Sequence, residues 1–383
     1  MTDSQTTSFK FLGSGSEYFK IWIVNSILTV LTLGIYSAWA KVRTSRYFYG
    51  NTRLDDATFD YHATPLMILK GRLIAITAVV AYIVASKFMP AVGGVLFIIL
   101  LLLTPWVIWR SIRFNARMVS YRNVRFHFEG SLKEVYKILV FIPALPLIIG
   151  GALGGGLFFL TQNTEAIAFI ISISVLAIYA MFPYIQQRMA SYYINYRKYG
   201  QGHFSTHLSA KKYYRVYLSV IALSAVFTMV ILMIIGFVLG LTGEIDRLMT
   251  MMEESGKIYP EDITRIVLFV YIGFGLLSIW GTAYIQANLK NYVLNHTQLD
   301  NVHVHSNIKV GKLFTLYLSN ILLLFATLGL AYPWTVVRLR KYKLESTSIT
   351  GNINEYVNQQ QQTQSALGEE LGEAFDMDVD LGI

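Results

Sequence analysis

The sequence contains no cysteine and few charged residues. Among its 383 residues, 14% are charged and 54% are hydrophobic. The absence of cysteine excludes disulfides, thiolate metal ligands and a cysteine nucleophile. So small a charged fraction cannot cover the surface of a soluble protein of this length, and we therefore expect a membrane protein.

Acidic residues are scarcer than basic ones. The chain has 23 Asp and Glu against 32 Lys and Arg, a net charge of +9. In a soluble protein this excess suggests nucleic-acid binding, but here the basic residues lie between long apolar segments. We therefore expect them in cytoplasmic loops against anionic headgroups, with the lipid bilayer and no nucleic acid as partner. The N-terminal residues up to Phe19 lack a charged stretch followed by an apolar run, so no cleavable signal peptide is expected.

Six segments are long and apolar enough to cross about 30 Å of hydrocarbon. They cover approximately residues 68–88, 91–109, 136–160, 166–185, 216–241 and 263–285. The segments form three pairs, with short or acidic connections within a pair and basic connections between pairs. Because Lys and Arg concentrate in cytoplasmic loops, we place the between-pair connections and both termini in the cytoplasm.

The cytoplasmic connections repeat a short pattern. Residues 49–54 (YGNTRL) match 121–126 (YRNVRF) and, more loosely, 199–204 (YGQGHF), while 52–56 (TRLDD) match 297–301 (TQLDN). Turn-forming residues separate short alternating runs in these segments, which predicts β-hairpins. Because a lone hairpin is only marginally stable, we expect them to pair into a cytoplasmic cap.

The two ends of the chain also repeat each other. Residues 19–52 align without a gap onto 314–347 at a constant offset of 295, with eleven identities in 34 positions. Each copy begins and ends near basic residues, which favours a re-entrant element that turns back near Gly34 or Gly329. Both copies are long enough to span the membrane, and a spanning arrangement is the alternative.

These patterns together predict an α-helical polytopic membrane protein. It has six full transmembrane helices, two terminal re-entrant or spanning repeats, and short cytoplasmic β-hairpins that form a cap. The predicted units are an N-terminal strand segment (1–18), the first repeat with its hairpin (19–65), a six-helix core with cytoplasmic strands (66–292), the fourth hairpin with the second repeat (293–353), and a disordered linker with an acidic tail (354–383).

The C-terminal stretch from Glu369 to Ile383 alternates acidic with bulky apolar residues. This composition is typical of a peptide that docks on a protein partner. A disordered tail that only improves solubility is the alternative.

The longest repeated segment resembles a known family. Residues 32–43 (TLGIYSAWAKVR), continued by 46–54 (RYFYGNTRL) and 59–65 (FDYHATP), are similar to the hallmark of the YjgN family of bacterial inner-membrane proteins, a domain of unknown function. The resemblance extends to about residue 352. It implies a bacterial inner membrane and brings no activity, cofactor or catalytic residue. Family members often have Pro before the Trp, where this chain has Ala38 in the first copy and Pro333 in the second.

Catalytic and metal-binding motifs are not recognisable. His203 with His207, and His303 with His305, have spacings that a metal site can use, but no acidic or cysteine ligand accompanies them. No nucleophile lies beside an ionisable pair either. We therefore expect no metal, no cofactor and no enzymatic activity.

Asn25 and Asn320 are the best-placed polar residues of the terminal repeats. In one interpretation they line a polar path between the two repeats, next to the turns at Gly34 and Gly329. In the other, each asparagine only bonds a neighbouring helix.

Each terminal repeat also carries a tryptophan four residues before an arginine. The pairs are Trp39 with Arg43 and Trp334 with Arg338. On a helix this spacing is compatible with a cation–π contact near the membrane interface. The alternative is an aromatic anchor beside an arginine that reaches toward water.

Two functions are compatible with this sequence. One is permeation or transport of a small solute, ion or lipid between the two repeats, which the repeated and broken helices favour. The other is a non-transporting scaffold that recruits a partner through its cap and acidic tail, which the scarcity of charges inside the spans favours.

Overall fold

The computed structural model describes residues 6–162, 164–241 and 260–353. Within these ranges the chain alternates short β-strands with pairs of helices. The helices are α1 Gly15–Leu31, α2 Ser37–Gly50, α3 Pro65–Phe88, α4 Pro90–Met118, α5 Leu132–Thr161, α6 Thr164–Asn195, α7 Ala210–Leu241, α8 Pro260–Asn295, α9 Val310–Ala326 and α10 Tyr332–Glu345.

The strands form one closed antiparallel barrel. They are β1 Thr6–Phe11, β2 Thr52–Leu54, β3 Ala57–Tyr61, β4 Val119–Tyr121, β5 Val124–Phe128, β6 Arg197–Tyr199, β7 Gly202–Thr206, β8 Thr297–Leu299, β9 Val302–Ser306 and β10 Thr347–Thr350. Each strand pairs with the next one along the chain, and β10 pairs with β1 to close the ring. Tight turns join the strands at one end, where Asp55 and Asp300 adopt left-handed φ values of 54° and 46°.

The hairpins that we predicted to pair into a cap are part of this closed barrel. The four predicted hairpins are present, but β10 adds a strand that directly follows a helix and carries no turn signal. Because β10 bonds both β9 and β1, no strand is left with an unpaired edge among the described residues.

The inside of the barrel is a packed core. Leu54, Tyr121 and Tyr199 are almost completely buried there. The Tyr121 hydroxyl donates to the Leu54 carbonyl at 2.7 Å, and the Tyr199 hydroxyl donates to the Tyr121 carbonyl at 2.9 Å. Burial raises the pKa of both phenols above the usual value, so both remain protonated donors. These side chains pack against one another in the barrel interior.

Five helical hairpins extend from the barrel end opposite the tight turns. Each hairpin begins after one strand and returns to the next strand, so both of its ends lie at the barrel. Each helix packs against its neighbour in sequence, and α10 packs against α1, which completes a ring of helices around the barrel axis.

The six predicted membrane segments are confirmed as six helices long and apolar enough to cross a membrane. These helices form the second, third and fourth hairpins and expose large apolar side chains such as Phe159 and Leu160. Such exposure is stable in lipid and unfavourable in water.

Several of these helices extend beyond the apolar segments that we predicted. The second segment, predicted to end at residue 109, continues as α4 to Met118. Its last turns bury Ile112, Phe114 and Met118 against the barrel. The helix therefore ends where it meets the barrel, well after the apolar run has ended.

Candidate functional site

The first and fifth hairpins have the same geometry and lie side by side. The first consists of α1 and α2, and the fifth of α9 and α10. At the two turns, Gly34 and Gly329 have φ values of 91° and 87°. Nothing lies within 4 Å of the position of a Cβ at either glycine, so the left-handed backbone and not close packing requires glycine there.

Asn25 and Asn320 hold equivalent positions and tie the two helices of their own hairpins together. The Asn25 Nδ2 donates to the Ala40 carbonyl at 3.4 Å, and the Asn320 Nδ2 donates to the Thr335 carbonyl at 3.2 Å. Both asparagines are buried, with 5% and 6% of their surface exposed. Each therefore bonds within its own hairpin, as the second interpretation of these residues expects.

The carbonyl oxygens of the two asparagines have different surroundings. The Asn320 Oδ1 accepts from the Arg338 Nη1 at 3.2 Å. The Asn25 Oδ1 is buried without a hydrogen-bond partner in the structure. The Asn320 oxygen is therefore hydrogen-bonded, whereas the Asn25 oxygen is an unpaired acceptor.

Asn25 lines a lateral pocket of about 690 Å³ between α1, α2 and α3. The wall is made by Trp22, Asn25, Ser26, Thr29, Val30, Ser37, Ala40, Lys41, Thr44, Arg72 and Ile76. Two of these residues are basic and none is acidic. Arg72 donates to the Ser37 hydroxyl, which fixes the guanidinium against the end of the first hairpin.

The pocket is polar in the first hairpin only. Four polar residues of its wall have aliphatic counterparts at the offset of 295, and a fifth has an aromatic one. The pairs are Ser26 and Ile321, Thr29 and Leu324, Ser37 and Tyr332, Lys41 and Val336, and Thr44 and Leu339. The same backbone thus carries a polar residue at these five positions in the first copy and an aliphatic or aromatic residue in the second.

Aromatic packing joins the first and fifth hairpins. The rings of Phe19 and Trp334 lie 5.1 Å apart, and those of Trp22 and Tyr332 lie 6.0 Å apart. A Cβ at Gly15 would lie 2.3 Å from Trp334. Gly15 is therefore needed for the close approach of α1 to α10.

The cation–π interpretation of each tryptophan with the arginine four residues later is not supported by the structure. Among the cation–π contacts of the described residues, neither Trp39 with Arg43 nor Trp334 with Arg338 occurs. Trp39 stacks on Tyr36 at 6.1 Å, and Arg43 is exposed. Arg338 binds Asn320, because the neighbouring helix offers a hydrogen-bond acceptor. Whether these residues anchor the chain at a membrane interface remains a prediction.

The histidines lie on the barrel and its connections, away from the pocket. His62 Nε2 is 2.7 Å from the Ser120 hydroxyl. Burial lowers the pKa of His62, and the nearby Arg125 lowers it further. No group of three metal-ligating side chains is found among the described residues.

The polar wall of the pocket was not predicted from the sequence. Asn25 was predicted because it is identical in both copies, whereas Lys41 was not predicted because the two copies differ there. A comparison of the copies for polar differences would have found Lys41 and its four polar neighbours. Arg72 lies on α3, outside the repeat, and only the fold brings it to this site.

The chain is similar to curated bacterial membrane proteins. A family model described as "Bacterial protein of unknown function (DUF898)" matches residues 6–374. Inner membrane protein YjgN of Salmonella typhimurium is 26% identical over 365 residues, which cover 92% of this chain and 90% of that protein. Inner membrane protein YjgN of Escherichia coli K12 is 25% identical over 387 residues, with 94% and 93% coverage. No solved structure matches this chain.

Proposed function

We propose that this chain, which belongs to the DUF898 family of bacterial proteins, is a multi-pass inner-membrane protein that moves a polar or amphipathic substrate across the membrane through the pocket beside its first hairpin. The names of its relatives and its six apolar helices support the location.

The membrane orientation that we propose places the barrel and both termini in the cytoplasm. Basic residues concentrate in the connections that form the barrel, which is the pattern of cytoplasmic segments. The two helices of the first hairpin have 17 and 14 residues. At 1.5 Å per residue they are about 25 and 21 Å long, shorter than the hydrocarbon layer of about 30 Å. Because both ends of each short hairpin lie at the barrel, we propose that the two hairpins are re-entrant.

The observation that carries the proposed function is the polar wall present in only one of two equivalent hairpins. Polar and charged side chains at membrane depth are costly and usually mark a binding site or pathway. The fifth hairpin adopts the same backbone with aliphatic or aromatic residues at these positions, so the backbone of the hairpin does not require the polar set. Substrate binding accounts for the polar residues at these positions.

The filled barrel directs the proposed route sideways. Side chains such as Tyr121 and Tyr199 occupy its interior and are bonded to the backbone. A substrate that reaches the pocket between α2 and α3 comes from the side, where the pocket faces the bilayer. Substrates that already reside in the membrane fit this access better than water-soluble ions.

The test is movement across vesicles that contain the purified full-length protein. The variant combines Lys41→Val with Thr44→Leu, so that both residues take the identity of their counterparts Val336 and Leu339. A matched control, Lys20→Thr, removes one positive charge from an exposed position of the same hairpin and also introduces the counterpart, Thr315.

We expect the wild type and the Lys20→Thr control to move fluorescent phospholipids or a solute from a broad panel, and the double variant to lose most of that activity. Equal rates in the double variant and the wild type would contradict the proposed route. If no substrate moves and capture of a protein partner depends on residues 369–383, the scaffold function is favoured instead. That tail lies outside the described residues.

A further inference from the structure

We infer that the pocket beside the first hairpin binds a phosphodiester headgroup that also carries hydroxyl groups, as a phosphatidylglycerol headgroup does. This inference rests on the proposed function and names its substrate class.

The charges of the pocket select an anion. Lys41 and Arg72 both line it, and no acidic side chain is among its lining residues. The planar donors of a guanidinium match the oxygens of a phosphate, and a lysine ammonium adds a second positive charge. The hydroxyls of Ser26 and Thr29 add donors of the kind that bind phosphate oxygens.

The Ser37 hydroxyl holds the guanidinium in place at this site. It accepts a hydrogen bond from Arg72 and donates to the Gly34 carbonyl at the turn of the first hairpin. In the fifth hairpin the counterpart of Ser37 is Tyr332, which packs against Trp22. An arginine fixed in this way loses less conformational entropy when it binds an anion.

The spare acceptor of Asn25 selects a hydroxyl in the same ligand. Its Nδ2 already donates to Ala40, so the Oδ1 that has no partner requires a donor. A buried acceptor left unpaired is unfavourable, and a ligand that supplies a donor gains that energy once the covered oxygen turns toward the pocket. An ammonium donor would be repelled by Lys41 and Arg72, whereas a neutral hydroxyl would not. A glycerol headgroup is therefore favoured over an ethanolamine headgroup.

The apolar part of the wall indicates that the phosphate belongs to a lipid. Val30 and Ile76 line the pocket and have 75% and 59% of their surface exposed. Acyl chains beside these two side chains would cover them while the headgroup occupies the polar wall. Glycerol phosphate, which has the same headgroup chemistry without acyl chains, would gain nothing from these contacts.

The experiment measures lipid retention by the delipidated full-length protein with native mass spectrometry. The probes are phosphatidylglycerol, phosphatidylethanolamine and glycerol 1-phosphate, each titrated separately. The proteins are the wild type, Arg72→Gln, Asn25→Ala and the control Lys20→Thr.

We expect the wild type and Lys20→Thr to bind phosphatidylglycerol with equal affinity and more tightly than phosphatidylethanolamine. Loss of one charge-assisted hydrogen bond lowers affinity about tenfold or more, which is the change expected for Arg72→Gln. Asn25→Ala is expected to reduce the preference for the glycerol headgroup over ethanolamine while retaining binding of both lipids.

Unchanged phosphatidylglycerol binding by Arg72→Gln would overturn the inference, as would a wild type with no preference for the glycerol headgroup. Equal affinity for glycerol 1-phosphate would assign the site to a free phosphate ester and overturn the lipid assignment. If Arg72→Gln does not fold, Lys41→Val provides the same comparison. Retention of phosphatidylglycerol without any movement across vesicles would refute the transport function and leave this inference standing.

Discussion

Replacing the two equivalent asparagines by alanine is expected to give unequal losses of stability. Asn320→Ala removes the bond to the Thr335 carbonyl, which is worth about 1 kcal/mol in a membrane helix pair. It also removes the acceptor of the Arg338 guanidinium, a charged bond worth about 1.5–3 kcal/mol. The sum is a loss of about 2.5–4 kcal/mol in the free energy of unfolding.

The same substitution in the first hairpin removes fewer stabilising hydrogen bonds. The Asn25 amide makes one long bond to the Ala40 carbonyl, and its Oδ1 is a buried acceptor without a partner. Losing the bond destabilises the fold, while losing the unpaired acceptor stabilises it. The net change expected for Asn25→Ala is therefore within about 1 kcal/mol.

The assay is unfolding of the purified protein from mixed micelles with increasing denaturing detergent, followed by tryptophan fluorescence. Both variants are compared with the wild type without added lipid, because a bound headgroup would stabilise the Asn25 site. An Asn25→Ala variant as unstable as Asn320→Ala would refute the reasoning. That result would mean that the two amides contribute equally and that the Asn25 oxygen is satisfied.

Three further outcomes are expected. Tyr199→Phe removes the buried hydroxyl that donates to the Tyr121 carbonyl and should lower the free energy of unfolding by about 1–2 kcal/mol in the same assay; no loss would mean that this bond does not stabilise the barrel. In intact cells, an impermeant thiol reagent should label Met89→Cys, at the far end of the second hairpin, and leave Asp56→Cys, at a barrel turn, unlabelled; the reverse pattern would invert the proposed orientation. His62 has a folded-state pKa below its unfolded value of about 6.5, so its contribution to stability is present above that pH and is lost as the pH falls through and below it. The free energy of unfolding should therefore be lower at pH 5 than at pH 7.5 in the wild type, with a smaller difference in His62→Gln. Equal differences in the two proteins would rule out His62 as the cause.

The membrane helices could be predicted from the sequence, but the closed barrel could not. Apolar runs long enough to span a bilayer are a strong local signal. Barrel closure depends on pairing between β1 and β10, which lie at opposite ends of the described chain. β10 has four residues, follows α10 without a turn signal, and carries no pattern that distinguishes it from a polar loop.

The candidate site was only partly predictable for a similar reason. Asn25 was predicted because both copies of the repeat have asparagine there, whereas the chemistry of the pocket depends on residues that the two copies do not share. Helical spacing places Trp334 and Arg338 on one helix but does not show what the arginine binds. Arg338 binds Asn320 on a neighbouring helix, and sequence spacing alone does not reveal such contacts.

The pairing of β1 with β10 has a consequence for biosynthesis. Thr6 and Thr350 are register partners although 344 residues separate them. β1 is synthesised before the other described strands, yet it lacks its second neighbour until nearly all of the described chain has been made. The three long hairpins can therefore enter the membrane one after another, while the barrel that connects them is completed last. Contacts so distant along the chain form slowly, which makes the unfinished barrel the stage of assembly most exposed to misfolding and to quality-control proteases.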